Sequence, residues 1–234
     1  MSAGASKMEV IKELRERSGA PMMDVKNALA EAQWDIGTVP GHCLLGHRAR
    51  PNALTPPRSH VTEQAMTLLR QRGVAAASKK VGRRAAEGLV GMAEGPRGVA
   101  VVEINSETDF VSKDSNFQHM VAFVSQAALQ LSPGSAPSWA TDVHELLKAS
   151  CDGTIVEDAI ADVAGTIREN MHLRRAFYLP SEGATIGRYM HNSQAPGLGG
   201  LAAAVRLRGA GAEGAEGREL ARKLAMHVAA SGPP

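Results

Sequence analysis

An acid and an aromatic residue, Asp109 and Phe110, interrupt the sequence VAVVEINSETDFVSKDSNF at residues 99–117. The β-branched run before them predicts a buried strand. A carboxylate and a large ring in a short strand-to-helix connection can be presented to a partner. In the alternative, structural interpretation, Phe110 closes the apolar end of the following helix and Asp109 caps it. Three further residues are candidate N-caps of that helix: Ser112, Asp114 and Ser115.

Other reactive side chains do not form a recognised catalytic pattern. The sequence has no P-loop, no GxSxG elbow and no convincing CxxC pair. Eight histidines scattered over this length need no catalytic role. We therefore expect no covalent catalysis, no bound metal and no cofactor. A hydrolase that uses Asp109 with a histidine is kept as an alternative hypothesis.

Two groups of side chains could bind ions by residue type, but a structural interpretation is favoured for both. Lys79, Lys80, Arg83 and Arg84 could contact phosphates, although a solvated helical face is the simpler interpretation. The second group contains side chains that can ligate a metal, namely His42, Cys43, His47 and His60. It lies in an irregular, proline-rich stretch, so we interpret the cluster as accidental.

Composition favours a protein partner. The 234 residues carry 26 basic and 24 acidic side chains, a net charge of +2, which is too balanced for an electrostatic nucleic-acid binder. Cys43 and Cys151 are far apart, which indicates a reducing compartment. No apolar run reaches about eighteen residues, so we expect no membrane contact. The start, MSAGASKMEV, resembles neither a signal peptide nor a transit peptide.

The coarse pattern predicts a small helical domain, a connector and an α+β core. Helices at 7–17, 22–33 and 63–72, the last closed by Gly73, form a three-helix bundle of the ubiquitin-associated type in residues 1–73. An atypical insertion at 37–62 interrupts this bundle. Because ubiquitin binders share the shape, a protein interaction module of the ubiquitin-associated type is an alternative function.

Residues 74–87 form a basic connector, and the core follows at 88–234. A strand pair followed by a helix occurs twice, which predicts two similar antiparallel-sheet and helix subdomains at about 88–140 and 141–234. The predicted strands are 88–93, 98–105, 172–179, 184–191 and 201–207. The predicted helices are 115–130, a helical region at 141–170, and 217–230.

Three blocks resemble signatures of the elongation factor Ts family. NSETDFVSKDSNF, at residues 105–117, is similar to its TDFV signature, and LRERSGAPMMDVKNALAEAQWDI, at 14–36, to its amino-terminal signature. LAMHVAAS, at 224–231, is similar to its IAMHVAAS segment. Removal of residues 37–62 would join DI to EQAMTLLRQRG, as in the family's uninterrupted helix. The insertion is therefore interpreted as a coding segment foreign to the family.

The resemblance implies a translation factor that exchanges guanine nucleotide on the GTPase elongation factor Tu. Thr108, Asp109, Phe110 and Val111 would enter that GTPase near its Mg²⁺ site. The chain itself would bind neither nucleotide nor nucleic acid. The resemblance further implies a mitochondrial matrix location, with a plastid or bacterial cytoplasm as alternatives.

The resemblance also implies less certain contacts elsewhere. Ile167 and His191 would press on the phosphate-loop side of the partner, although Arg168 replaces a glycine of the family's I-G-E-N segment. His227 is interpreted as a packing residue. Three residues of the amino-terminal domain would dock on the partner or form ordinary bundle core: Arg15, Met22 and Met23.

Overall fold

The computed structural model describes residues 7–32, 58–78, 83–131 and 139–232. The chain divides into two compact units, Met1–Ala76 and Ala77–Pro234. The candidate ligands His42, Cys43 and His47, and the basic residues Lys79 and Lys80, lie outside the described residues. Helices and antiparallel sheets confirm the predicted α+β class. No described helix is both long and apolar enough to span a bilayer.

The first unit is built from three described helices around an aliphatic core. Gly19 ends the first helix with φ of 64°, a left-handed conformation that glycine adopts without strain, and its N–H donates to the Arg15 carbonyl at 2.8 Å. Pro21 precedes the second helix. The core contains Val10, Leu14, Val25, Leu29 and Ala65. The helices are α1 Lys7–Ser18, α2 Met22–Glu31 and α3 Arg58–Ser78.

Helix α3 is longer at both ends than the sequence predicts. It begins at Arg58, so the last five residues of the predicted insertion are helical, and Val61 among them is buried. The predicted stop at Gly73 is wrong. One glycine costs a helix only about 1 kcal/mol, and the Ala-rich segment that follows has the highest helix propensity.

The second unit contains the remaining described elements. Four of its nine described strands have only two residues each. Two of these lie at the edges of the largest sheet, and the other two pair with each other. The strands are β1 Glu87–Gly95, β2 Gly98–Ser106, β3 Ala140–Thr141, β4 Ser150–Cys151, β5 Thr154–Ile155, β6 His172–Pro180, β7 Thr185–His191, β8 Leu198–Gly199 and β9 Leu201–Leu207. The helices are α4 Ser115–Gln130, α5 Val143–Lys148, α6 Val156–Ile167 and α7 Ala215–Ala230.

The main sheet has the order β3-β6-β2-β1-β8, and each of its pairs is antiparallel. β1 and β2 form a hairpin in register from Glu87↔Ser106 to Gly95↔Gly98. β6 covers the other edge of β2, so this sheet draws strands from both predicted subdomains. Helix α4 packs on one face with Phe117, Val121 and Val124 fully buried.

A β-bulge in β6 places two arginines beside one carboxylate. The register shifts between Glu103 and Ile104 of β2, so Arg174 and Arg175 both lie at Glu103. They donate to its Oε1 and Oε2 at 2.8 and 2.5 Å. Burial alone would raise the pKa of Glu103, but these hydrogen bonds and charges outweigh it and hold the pKa below its ordinary value of 4.5.

The predicted helical region 141–170 is two helices, α5 and α6, separated by the β4–β5 hairpin. Asp152 and Gly153 form its turn with φ of 50° and 79°. Asp-Gly is the preferred pair of a type I′ hairpin turn. This local signal overrides the helical pattern on either side.

The strand–strand–helix pattern occurs twice, as predicted. β7 pairs with β9, and α7 packs on this hairpin through Gly217, Ala221 and Ala225. Gly187 of β7 allows the close approach, since a Cβ there would lie 2.0 Å from the backbone of Ala221. The subdomain boundary near residue 140 stays a prediction.

Candidate functional site

A short 3₁₀ turn, Asp109–Lys113, connects β2 to α4 and contains the predicted contact residues. Val111 is buried in the core and fixes the middle of the turn. Phe110 is 76% exposed, and Asp109 beside it is exposed as well. The Ser112 hydroxyl donates to the Asp109 carbonyl at 2.6 Å. The turn therefore presents a large apolar ring and a carboxylate to solvent.

The structural interpretation of Asp109 and Phe110 is wrong on both counts. Asp114 caps α4, since its Oδ1 accepts from the backbone N–H groups of Asn116 and Phe117 at 2.8 and 3.1 Å. Phe117, which is fully buried, closes the apolar end of the helix. Neither residue of the exposed pair is needed for these two tasks.

Thr108, directly before the turn, is held by the carboxylate of Glu169. Its backbone N–H donates to Glu169 Oε2 at 3.0 Å, and its hydroxyl donates to Oε1 at 2.6 Å. The Ser106 hydroxyl donates to the Thr108 carbonyl at 3.1 Å. Thr108 is partly buried and has an extended backbone, with φ of −125° and ψ of 156°.

Asn170, the residue after Glu169, makes two further contacts beside Thr108. Asn170 donates its backbone N–H to Glu107 Oε1 at 2.6 Å and its side-chain amide to the Arg83 carbonyl at 2.7 Å. Arg83 also pairs with Glu107 at 3.4 Å. We call the four residues Glu107, Thr108, Glu169 and Asn170 the clasp. The sequence reasoning missed Glu169 and Asn170, although both follow Ile167 in the segment that resembles I-G-E-N.

The clasp brings Ile167 into the same region as the exposed turn. Ile167 ends α6, is half-buried and packs against the main core. Arg168 follows with φ of 65°, the left-handed conformation that glycine adopts most easily, and its N–H donates to the Ala164 carbonyl at 2.9 Å. The arginine keeps the chain direction that this helix end requires, so Glu169 still reaches Thr108.

His191 lies in the second sheet, at the end of β7. Its ring is exposed, and its Nδ1 lies 3.3 Å from the Tyr189 hydroxyl oxygen. The two side chains share one face of the strand because they are two residues apart. The histidine therefore lies in a different sheet from β2, the strand that leads into the Asp109 turn.

The amino-terminal candidates are exposed at the start of α2 and on α1. Met22 and Met23 are 40% and 63% exposed, and Arg15 is exposed. The alternative that these three residues form ordinary bundle core is wrong, since none of them belongs to the buried cluster of this unit. His227 is exposed on α7, so the packing interpretation is wrong there too.

Comparison with known proteins identifies the family. The family model described as Elongation factor TS matches residues 107–234, which begin within the clasp and include the exposed turn. The chain belongs to the elongation factor Ts family. This membership confirms the resemblance found in the sequence.

Individual elongation factor Ts relatives extend the similarity to the amino-terminal unit. One from Ostreococcus tauri, named "Elongation factor Ts, mitochondrial", is 38% identical over the whole chain and 64% of its own length. "Elongation factor Ts" proteins of Paracoccus denitrificans (strain Pd 1222) and Paramagnetospirillum magneticum (strain ATCC 700264 / AMB-1) are 40% identical over 96% of the chain and 62% and 61% of their own lengths. The chain thus spans slightly less than two thirds of these relatives.

Proposed function

We propose that this chain is a guanine nucleotide exchange factor that promotes GDP release from elongation factor Tu. The observation that carries the proposal is the exposed Phe110 on a turn anchored by Val111 and by the clasp. An apolar ring held in solvent by a fixed backbone is suited to insertion into a partner. Family membership supports the choice of partner.

Exchange requires differential binding and no covalent chemistry. A factor that binds the nucleotide-free GTPase more tightly than the GDP form lowers the affinity for GDP by the same ratio. A ratio of about 10⁴ corresponds to roughly 5.5 kcal/mol. Phe110 acts as the apolar wedge, and the chain binds no nucleotide itself.

Asp109 supplies the electrostatic part of the proposal. Mg²⁺ carries much of the positive charge that holds the phosphates of a bound nucleotide. A carboxylate brought beside the ion's ligands competes with them and repels the phosphates. Exposed Asp109 is adjacent to Phe110, so insertion of the ring brings both groups to one place.

The other candidates act as docking contacts. Met22 and Met23 offer adaptable apolar side chains and Arg15 a charge, while Ile167 and His191 press on the partner from two further positions. We also propose the mitochondrial matrix as its location; the name of the Ostreococcus tauri relative includes the word mitochondrial.

Release of labelled GDP from elongation factor Tu, followed by stopped flow, tests the proposal. The chain should accelerate release, and Asp109→Asn should reduce the acceleration in the presence of Mg²⁺. When Mg²⁺ is chelated the deficit should largely disappear, because the step that Asp109 assists has already taken place.

The matched control is Asp158→Asn, which removes the same charge from an exposed position of α6. It should leave release unchanged with and without chelator. No acceleration by the unmodified chain, or binding to immobilised ubiquitin in place of elongation factor Tu, would refute the exchange function. An undiminished Asp109→Asn deficit in chelator would refute the role in Mg²⁺ displacement alone.

A further inference from the structure

Glu169 makes an unusual contact with the segment that carries the exposed pair. Its two carboxylate oxygens accept from two groups of one residue, the backbone N–H and the hydroxyl of Thr108, at 3.0 and 2.6 Å. Hydrogen bonds to an ionised acceptor are short and strong. Two bonds to a single residue fix its orientation as well as its position.

The place of this contact in the turn gives it a specific consequence. The segment 108–114 is held at Thr108 by Glu169, at Val111 by the core and at Asp114 by its own cap of α4. Asp109 and Phe110 lie between the first two of these points. Of the three, the Glu169 contact is made by a residue 61 positions away in sequence.

The end of α6 is built to hold the carboxylate in place. Arg168 turns the chain through its left-handed conformation, and Asn170 is bound to Glu107 and to the Arg83 carbonyl. Glu169 is therefore flanked on both sides by fixed backbone. Its contact with Thr108 and the contact of Asn170 with Glu107 cross-link the two segments in both directions.

We infer that Glu169 is a positioning residue that orders the Asp109–Phe110 pair before any partner arrives. Without it, the residues before Val111 would keep only weaker contacts, such as those of the Ser106 and Ser112 hydroxyls with the Thr108 and Asp109 carbonyls, and they would sample several conformations. Ordering them during association then costs conformational entropy. The apparent affinity for a partner falls in proportion to the fraction of molecules with the turn in place. This consequence for exchange rests on the proposed function, whereas the ordering itself does not.

Amide hydrogen exchange on the free protein tests the ordering directly. In the unmodified chain the Thr108 amide should be protected, because it is bonded to Glu169. Glu169→Gln replaces one acceptor oxygen by an amide NH₂, and Glu169→Ala removes both acceptors. Amide exchange at Thr108 should become at least about tenfold faster in Glu169→Gln and faster still in Glu169→Ala, as loss of a charged hydrogen bond predicts. The backbone NMR order parameters of Asp109 and Phe110 should fall in both variants, because the turn is then less ordered.

Amides in the middle of α4 should keep their protection, which separates ordering of the turn from global stability. Glu157→Gln, an exposed carboxylate at the start of α6, is the matched control and should change neither region. Thr108→Val keeps the backbone donor and removes the hydroxyl. It should lower the order parameter of Asp109 less than Glu169→Ala does, and the double variant should add little to Glu169→Ala alone.

GDP release tests the consequence for the partner. Glu169→Gln should raise the concentration of factor that gives half-maximal release about tenfold, while the maximal rate stays within about twofold, since a lower competent fraction weakens apparent binding only. A stability role alone would lower the melting temperature and leave the half-saturating concentration unchanged.

Unchanged amide exchange at Thr108, or unchanged order parameters at Asp109 and Phe110, in both Glu169 variants would overturn the inference, even if GDP release were affected. Unchanged half-saturating concentration in an otherwise active protein would also overturn it. If the unmodified chain does not accelerate GDP release from elongation factor Tu, the proposed function fails, and the measurements on the free protein alone decide whether Glu169 orders the turn.

Discussion

Truncation of Phe110 to alanine separates the cost to folding from the cost to partner binding. A phenylalanine side chain can bury roughly 200 Å². Because Phe110 is 76% exposed, only about a quarter of that area, roughly 50 Å², is covered in the free protein. At about 25 cal/mol per Å², its removal should lower the free energy of unfolding by about 1 kcal/mol.

The same calculation gives a larger loss in the complex. The exposed remainder is about 150 Å², which at the same coefficient is worth about 3–4 kcal/mol if the partner covers the ring completely. Phe110→Ala should therefore reduce the efficiency of GDP release by two to three orders of magnitude, at about 1.4 kcal/mol for each factor of ten. The melting temperature should fall by no more than about 2–4 °C.

Stopped-flow release measured against factor concentration, together with circular dichroism melting, provides both numbers. Leu220→Ala is the matched control, because Leu220 is another exposed apolar residue of the second unit, at 50%, and lies on α7. It should leave release unchanged. A Phe110→Ala variant that unfolds at the assay temperature, or that loses less than about fivefold in efficiency, would refute the assignment of the ring as a wedge.

Three further predictions concern the scaffold. Arg168→Gly should raise the free energy of unfolding by about 1 kcal/mol in urea titrations, since glycine adopts the left-handed conformation at φ of 65° without strain; no gain would show that contacts of the arginine offset the strain. Gly187→Ala should lower that free energy by about 2 kcal/mol or more in the same titration, because the new Cβ would lie 2.0 Å from the Ala221 backbone; an unchanged midpoint would contradict the close packing of α7. Burial alone would raise the pKa of Glu103, but its two arginine partners hold that pKa below the ordinary value of 4.5. The carboxylate therefore contributes stability above pH 4.5, and this contribution is lost as the pH falls through the folded pKa. Glu103→Gln should therefore cost about 1 kcal/mol near neutral pH and much less at about pH 3, and an equal cost at both pH values would refute the ion-pair explanation.

Local patterns were sufficient to predict most elements of the second unit. The apolar run LAAAV predicts a strand at 201–207, and β9 is Leu201–Leu207. Helix α4 is likewise Ser115–Gln130, as predicted, because Asp114 is a strong cap before an amphipathic segment. Errors arose where two local signals compete. The Asp152–Gly153 turn divides a helical region, and the Ala-rich run after Gly73 extends α3 past a glycine.

Residue types predicted the exposed pair of the site but not its support. Asp109 and Phe110 are conspicuous because a charge and a ring follow directly after a buried strand. Glu169 carries no comparable signal, since its hydrogen bonds to Thr108 depend on the pairing of β6 with β2 and on the direction in which α6 ends. Sequence periodicity predicts neither the strand pairing nor the direction of the helix end. Whether any of the candidates, including Asp109, Phe110 and His191, contacts a partner stays a prediction.

The position of β6 beside β2 has a consequence for synthesis on the ribosome. Glu169 is made 61 residues after Thr108, which at about 5–20 residues per second is a delay of roughly 3–12 s. During that interval the Val-rich β2 has an open edge, of the kind on which unrelated nascent strands aggregate. The newly made β1–β2 hairpin is therefore the segment that we expect a ribosome-associated chaperone to protect, until β6 emerges and closes the sheet.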